Sequence, residues 1–212
     1  MSEKQLTIAV LGAGNIGGTL GKKWVVAGHK VHFGVNDPNG KNAQTLRADA
    51  EIGGRAAIGT TEEALEGEPD VVLIALPGSV VESVARDYAT RLDGRIIIDA
   101  ANRMGEDSMH NLEHFQRHAP KAHVYRAFNS LGWENFAAPN FAGIQADLFY
   151  CGPQDAAQAS VEQLIADVGL NPVYLGGNEQ MGLLDSIASL WFTLALAQKK
   201  GRHLAFKVLT DK

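Results

Sequence analysis

Short apolar runs alternate with amphipathic stretches along most of this chain. Leu6 to Leu11 is apolar and partly β-branched, the mark of a buried strand. A helical period follows from Ile16 to Ala27, and Gly28 is placed to end it. Lys30 to Val35 reads as a second strand, then Asn36-Asp37-Pro38-Asn39-Gly40 as a turn cluster and Lys41 to Glu51 as a helix. Arg55 to Ile58 gives a third strand, and Thr61 stands ready to cap a helix over Glu62 to Leu65. Asp70 to Leu76 is almost wholly apolar, as a strand covered on both faces should be. Pro77-Gly78 stops it, Ser79 caps the next helix to Arg91, and Arg95 to Asp99 is strand five. A helix over Asp107 to His118 and a sixth strand over His123 to Phe128 complete the first part.

Two more strands, Asp147 to Cys151 and Pro172 to Leu175, flank a helix that runs from the Gly152–Asp155 turn to Val168, with Gly169 as C-cap. Glu179 to Lys199 is a long helix with apolar residues on more than one face, so it belongs in a core or at an interface. Residues 202–212 form a tail with Phe206 as an anchor. The alternation of strand and helix predicts an α/β fold with a doubly wound parallel sheet. One domain spans 1–212: a core over roughly 1–130 and a C-terminal α/β extension over 131–212.

Composition narrows the class. The 212 residues carry a net charge of −5, which argues against a general nucleic-acid binder. Cys151 is the single cysteine, so no intrachain disulfide forms. Met1-Ser-Glu-Lys-Gln leads straight into the first strand, with no expected signal peptide. Leu183 to Ala197, the longest apolar stretch, holds Asp185 and several hydroxyls and reads as too short and too polar for a membrane span. The expectation is a cytoplasmic protein without nucleic-acid or membrane partners.

Candidate chemistry starts at Gly12-Ala13-Gly14-Asn15-Ile16-Gly17, a G-x-G-x-x-G between a strand and a helix. Gly12 permits the turn, Gly14 lets backbone approach a pyrophosphate, and Gly17 lets helix and strand pack closely. The first amides of the helix then face the phosphates. At the end of strand two, Asp37 is either a ribose 2′-hydroxyl acceptor, which favours NAD, or a plain turn residue; Lys41 can pair with a phosphate. Leu76-Pro77-Gly78 and Ala100-Ala101-Asn102 follow strands four and five and belong near the nicotinamide end. Ala127-Phe128-Asn129-Ser130 follows strand six. Asn129 and Ser130 are either polar handles for a flat ring or a helix N-cap. His110, His114 and His118 share one helix face. That spacing can hold a metal, but a solvated face is the preferred reading, and no metal site is expected. No Ser-His-Asp, Cys-His or paired-carboxylate set declares itself, so Asn129 and Ser130 are the only catalytic candidates.

With these landmarks placed, the chain resembles the NADP oxidoreductases dependent on the deazaflavin coenzyme F(420). It is similar too to the cytosolic oxidoreductase domain of the six-transmembrane (STEAP) metalloreductases. Val10 to Gly17, Phe33 to Pro38, Ile97 to Asn102, Arg126 to Ser130 and Tyr150 to Gly152 carry the likeness, with Leu183 to Phe192 and Gly201 to Lys207 near the end. The resemblance implies a Rossmann-like domain with a small C-terminal α/β extension and a long closing helix, as a homodimer. It implies NADP as cofactor, with NAD as the alternative, and a flavin or deazaflavin ring as the small-molecule electron acceptor. By motif, Gly12, Gly14, Asn15, Ile16 and Gly17 bind pyrophosphate, Leu76 and Pro77 flank the nicotinamide ribose, and Ala101 and Asn102 lie nearby. Ala127, Phe128 and Asn129 line the ring pocket. Where the family has an arginine for the 2′-phosphate, this chain has Asn36, which removes a charge-assisted bond there and leaves Lys41 to compensate. The rivals are a reductase or dehydrogenase of a small carbonyl or imine, and a non-catalytic NAD(P) sensor.

Overall fold

The computed structural model describes residues 4–211, so the N-terminal reading of Met1 to Glu3 lies outside the described residues. The chain runs β1 (Thr7–Leu11), α1 (Asn15–Val26), β2 (Lys30–Gly34), α2 (Lys41–Ala48), β3 (Ala57–Gly59), α3 (Thr61–Glu66), β4 (Val71–Ile74), α4 (Gly78–Asp87), α5 (Ala89–Leu92) and β5 (Ile96–Asp99). It continues through α6 (Leu112–His118), β6 (His123–Arg126), α7 (Trp133–Ala137), β7 (Asn140–Phe141), β8 (Ile144–Gln145), β9 (Asp147–Tyr150), α8 (Gln158–Asp167), β10 (Asn171–Tyr174) and α9 (Met181–Phe192).

Six strands form one parallel sheet in the order β3-β2-β1-β4-β5-β6. This is the doubly wound order, with its switch point between β1 and β4. The apolar runs explain it. Val71 to Ile74 and Ile8 to Leu11 are fully buried, because helices cover both faces of the sheet. On one side α1 packs against α7 and α8. Trp24 of α1 is fully buried and donates its indole N–H to the Leu164 carbonyl of α8 at 2.9 Å, locking the extension onto the core. On the other side α4 packs against α6.

The extension is a second small parallel pair, β9 with β10, joined to β6 by an antiparallel bridge between Arg126 and Cys151. The hairpin β7–β8 has no counterpart in the sequence reading, since two-residue strands leave too short a period to see. The closing helix is continuous from Asn178 to Ala197, with a 3₁₀ start and a π-type last turn over Thr193–Ala197. By length and composition alone the 20-residue helix is long and apolar enough to cross a membrane, and a third of that window is buried against the rest of the protein. Its inner face packs on the core through Met181, Leu184, Ala188, Trp191 and Ala195, while Leu183, Leu190 and Leu196 stay exposed.

Several boundaries move. Thr60, not Thr61, caps α3, through a capping box with Glu63. Ser79 caps nothing; α4 starts at Gly78 behind Pro77. The helix expected over 107–118 begins only at Leu112. His110 therefore precedes it, and the three histidines do not share a helix face.

Candidate dinucleotide cleft

The phosphate loop is built by close packing. Gly12 has φ +101° and donates its amide to the Gly34 carbonyl at 2.9 Å. A Cβ at Gly17 would collide with the Gly12 carbonyl oxygen, so α1 and the loop touch through bare backbone. Gly14 differs: its φ is −75° and nothing lies within 4 Å of a Cβ there. The open side of the loop is therefore at Gly14. No side chain caps α1, and its first turn carries no acid. The leading amides, around Asn15 and Ile16, are left for an external acceptor.

This loop forms one wall of a cleft of about 860 Å³ at the carboxyl end of the sheet. The cleft brings together Gly12, Gly14, Asn36, Asp37, Lys41, Leu76 and Pro77, as expected from their places after β1, β2 and β4. It also includes Val80 and Val84 of α4 and Tyr88 just past its end, which the sequence reading missed. Their spacing of four was the available signal: it marks a second apolar stripe beside the buried Val81 and Ala85. The stripe offers a flat apolar wall.

At the ribose end Asp37 is a turn residue. Its Oδ1 accepts the Asn39 amide at 2.9 Å and its carbonyl accepts the Gly40 amide at 2.9 Å. Gln44 and Arg47 clamp the same turn through the Asn39 and Pro38 carbonyls. Lys41 opens α2 at an end without a side-chain cap, is exposed, and makes no ion pair among the described residues. Asn36 is exposed beside it.

Beyond β5 and β6 the chain buries charge. Arg126 is 0% exposed. Its Nη1 donates to Asp99 Oδ2 at 3.0 Å and to the Ala101 carbonyl, and its Nη2 donates to Asp185 Oδ1 at 3.0 Å and Asn102 Oδ1 at 2.6 Å. The pair with Asp185 ties α9 to β6. Asn102 in turn donates its Nδ2 to the Asn129 carbonyl at 3.0 Å. Asn102 is thus a strut rather than a free handle: both ends of its amide are used.

Asn129 and Ser130 sit at the end of this chain of bonds. They are 3% and 2% exposed, and Asn129 Oδ1, Asn129 Nδ2 and Ser130 Oγ have no partner. Neither caps a helix, because α7 starts at Trp133 behind Gly132. Phe128 needs correction. It has φ +60° and its ring is buried edge-on between Trp24 and Phe136, at 5.9 and 5.5 Å. That turn points Phe128 into the core, so its ring cannot line a cleft; Ala127 is 0% exposed and equally enclosed. Ala101 is 4% exposed and contributes its carbonyl to Arg126.

The remaining reactive groups are quiet. Burial pushes the Cys151 thiol up to about 12, so it carries no thiolate at neutral pH. Burial likewise lowers the His110 imidazole, against the pull of Asp185, which keeps it neutral. His114 is buried against Arg103 rather than solvated. Among the described residues no group of three or more His, Cys, Asp or Glu is placed to hold a metal.

The comparisons agree with this geometry. The profile of the family described as NADP oxidoreductase, coenzyme F(420)-dependent, matches residues 7–103. A glycerol-3-phosphate dehydrogenase [NAD(P)+] of Pseudomonas fluorescens (strain Pf0-1) is 28% identical over 103 residues, covering 45% of this chain and 29% of that one. The chain therefore spans under a third of the curated relative's length. A solved structure from Arthrobacter sp. FB24, provisionally described as an F(420)-dependent NADP-reductase, superposes with TM-score 0.78 at 24% identity, over 97% of this chain and 100% of that one. An imine reductase from Pseudomonas sp. superposes with TM-score 0.67 at 17% identity, over 92% of this chain but 64% of its own. Those two likenesses establish the fold. Residues 7–103, a little under half of the chain, thus resemble the coenzyme F(420)-dependent NADP oxidoreductases in sequence.

Proposed function

We propose that the protein binds NADP(H) in this cleft and transfers hydride between the nicotinamide and a flavin-like or deazaflavin ring. The observation behind it is that three polar atoms of Asn129 and Ser130, just past the carboxyl end of β6, are buried without partners, though neither residue lines the cleft itself. Each such group left unpaired costs about 1–3 kcal/mol, so a ligand that completes them gains that much specificity. An asparagine amide offers a donor beside an acceptor, the complement of a carboxamide or of a flavin's imide edge. The bound nicotinamide supplies the hydride. The chain's own residues bind and orient: Gly14 and the leading amides of α1 hold the pyrophosphate, Val80, Val84 and Tyr88 hold the adenine, and Lys41 and Asn36 face the 2′-phosphate. Hydride transfer between stacked rings asks for positioning and a dry pocket more than for an acid or base. This suits a site in which Asn129 and Ser130 are the candidates for orienting the acceptor.

The ring acceptor draws on the likeness to the Arthrobacter structure, which superposes with TM-score 0.78 over 97% of this chain. The second reading, reduction of a small carbonyl or imine, draws on the imine reductase likeness. The exposed Leu183 and Leu190 on α9 are the face we assign to a homodimer. Anaerobic titration with NADPH, then FMN and deazaflavin, tests the reading. Hydride passed to either ring supports it; NADPH binding with turnover on neither leaves the sensor as the better account. Asn129→Ala with unchanged affinity and turnover would sink the assignment of Asn129.

A further inference from the structure

The segments that follow β4, β5 and β6 meet in a polar junction beside the cleft. Leu76 and Pro77 line the cleft. Gly78, the next residue, lies so close to the segment after β5 that a Cβ there would fall 2.7 Å from the Asn102 carbonyl oxygen. Asn102 in turn donates its Nδ2 to the Asn129 carbonyl, just past β6, at 3.0 Å. One residue thus connects the cleft wall to Asn129 and Ser130, whose buried side chains have no hydrogen-bond partner among the described residues.

The orientation of the Asn102 amide is dictated from below. A guanidinium only donates, so the Asn102 atom that meets Arg126 Nη2 at 2.6 Å must be Oδ1, and Nδ2 is left to face Asn129. Arg126 is itself fixed. It is fully buried, and its Nε and Nη2 both donate to Asp185 Oδ1 on α9. Its Nη1 donates to the Asp99 carboxylate and to the Asp99 and Ala101 carbonyls, so it grips the segment that carries Asn102. On the far side, Phe128 is wedged between Trp24 and Phe136, which fixes the turn leading into Asn129. Stability alone does not call for buried charges here, because an apolar filling of the same volume is often as stable or more so. What the guanidinium adds is direction: it forces one amide to point one way.

We propose that Asn102, oriented by Arg126, is the positioning residue of the nicotinamide. It holds the Asn129 backbone so that the Asn129 amide and the Ser130 hydroxyl meet the nicotinamide half of the dinucleotide in one fixed arrangement. The role rests on the proposed occupation of the cleft by NADP(H), and it divides the labour there. The loop after β1 serves affinity for the phosphates, and the relay from Arg126 through Asn102 to Asn129 serves the ring.

The test compares NADPH with 2′-phospho-ADP-ribose, the same skeleton without its nicotinamide ring, by calorimetric titration into the full-length wild-type protein, Asn102→Ala and Asn102→Asp. Asn102→Asp is close to isosteric, keeps an acceptor for Arg126 and removes the donor to Asn129, so it breaks one end of the relay and leaves the anchor. It carries the test alone if Asn102→Ala fails to fold. The wild type should bind NADPH about tenfold more tightly than the fragment. Both variants should lose that advantage while holding the fragment within about twofold of the wild-type affinity. A merely structural role would weaken both ligands together. Equal weakening of the two, unchanged NADPH binding by Asn102→Asp, or a wild type that binds both ligands equally would each overturn the role of Asn102 and leave the dinucleotide site standing. A wild type that binds neither ligand would overturn the site itself, and the role with it.

Discussion

Gly14 and Gly17 separate affinity from stability within one motif. A methyl at Gly14 meets open space and a permissive φ, so Gly14→Ala should keep its melting temperature and lose most NADPH affinity. A methyl at Gly17 meets the Gly12 carbonyl, so Gly17→Ala should unfold at clearly lower temperature. Calorimetry paired with titration distinguishes the two. Asn129 makes the opposite trade. Replacing it by leucine removes two unsatisfied buried polar atoms, so the free protein should gain about 1–3 kcal/mol while NADPH binding weakens. A variant that loses stability instead would show that Asn129 serves the fold. At the ribose, Lys41→Ala should cost NADPH about fivefold to tenfold and NADH nothing, because only the 2′-phosphate needs an exposed cation there. The glycines were legible because each has one steric task. Phe128 was not: the pattern that marks it apolar does not say that a positive φ turns its ring into the core.

At the scale of elements, β6 carries the charge that organises the extension. Arg126→Met would leave Asp99 and Asp185 buried without their cation, at a cost of about 3–5 kcal/mol, and should loosen α9 before the sheet. Hydrogen exchange along α9 against β1 and β4 reads this. The same carboxylates explain why the helix predicted over 107–118 starts late. Met109, His110 and Asn111 give their amides to Asp185 and Asp99 and not to a helical turn, a tertiary choice that no local period encodes. The tail is held by Asp147, 1% exposed at its side chain. Burial raises its carboxyl, but bonds from Lys207, Val208 and Asn171 outweigh that and hold it below the usual range. A depressed folded value means that its stabilisation is present above the unfolded value, about 3.9, and is lost as pH falls through the folded one. Asp147→Asn should therefore flatten the acid limb of the stability curve below about pH 4, read as the melting temperature across pH.

For the whole molecule, the order of strands and helices was readable because buried parallel strands are nearly pure apolar runs and glycines punctuate them. The cleft followed from topology: what stands after β1, β2 and β4 must meet at the switch point. The partnerless amide of Asn129 and the α4 wall needed coordinates, because each depends on what is absent or opposite in space. This cleft is expected to bind a dinucleotide through the Gly14 side of the loop. Calorimetric titration of NADPH into the wild-type protein and into Gly14→Ala tests it most directly. Wild-type binding is expected in the micromolar range, about −8 kcal/mol, with binding lost in a variant that melts at the wild-type temperature. Equal binding by both proteins, or no binding by the wild type, would contradict it.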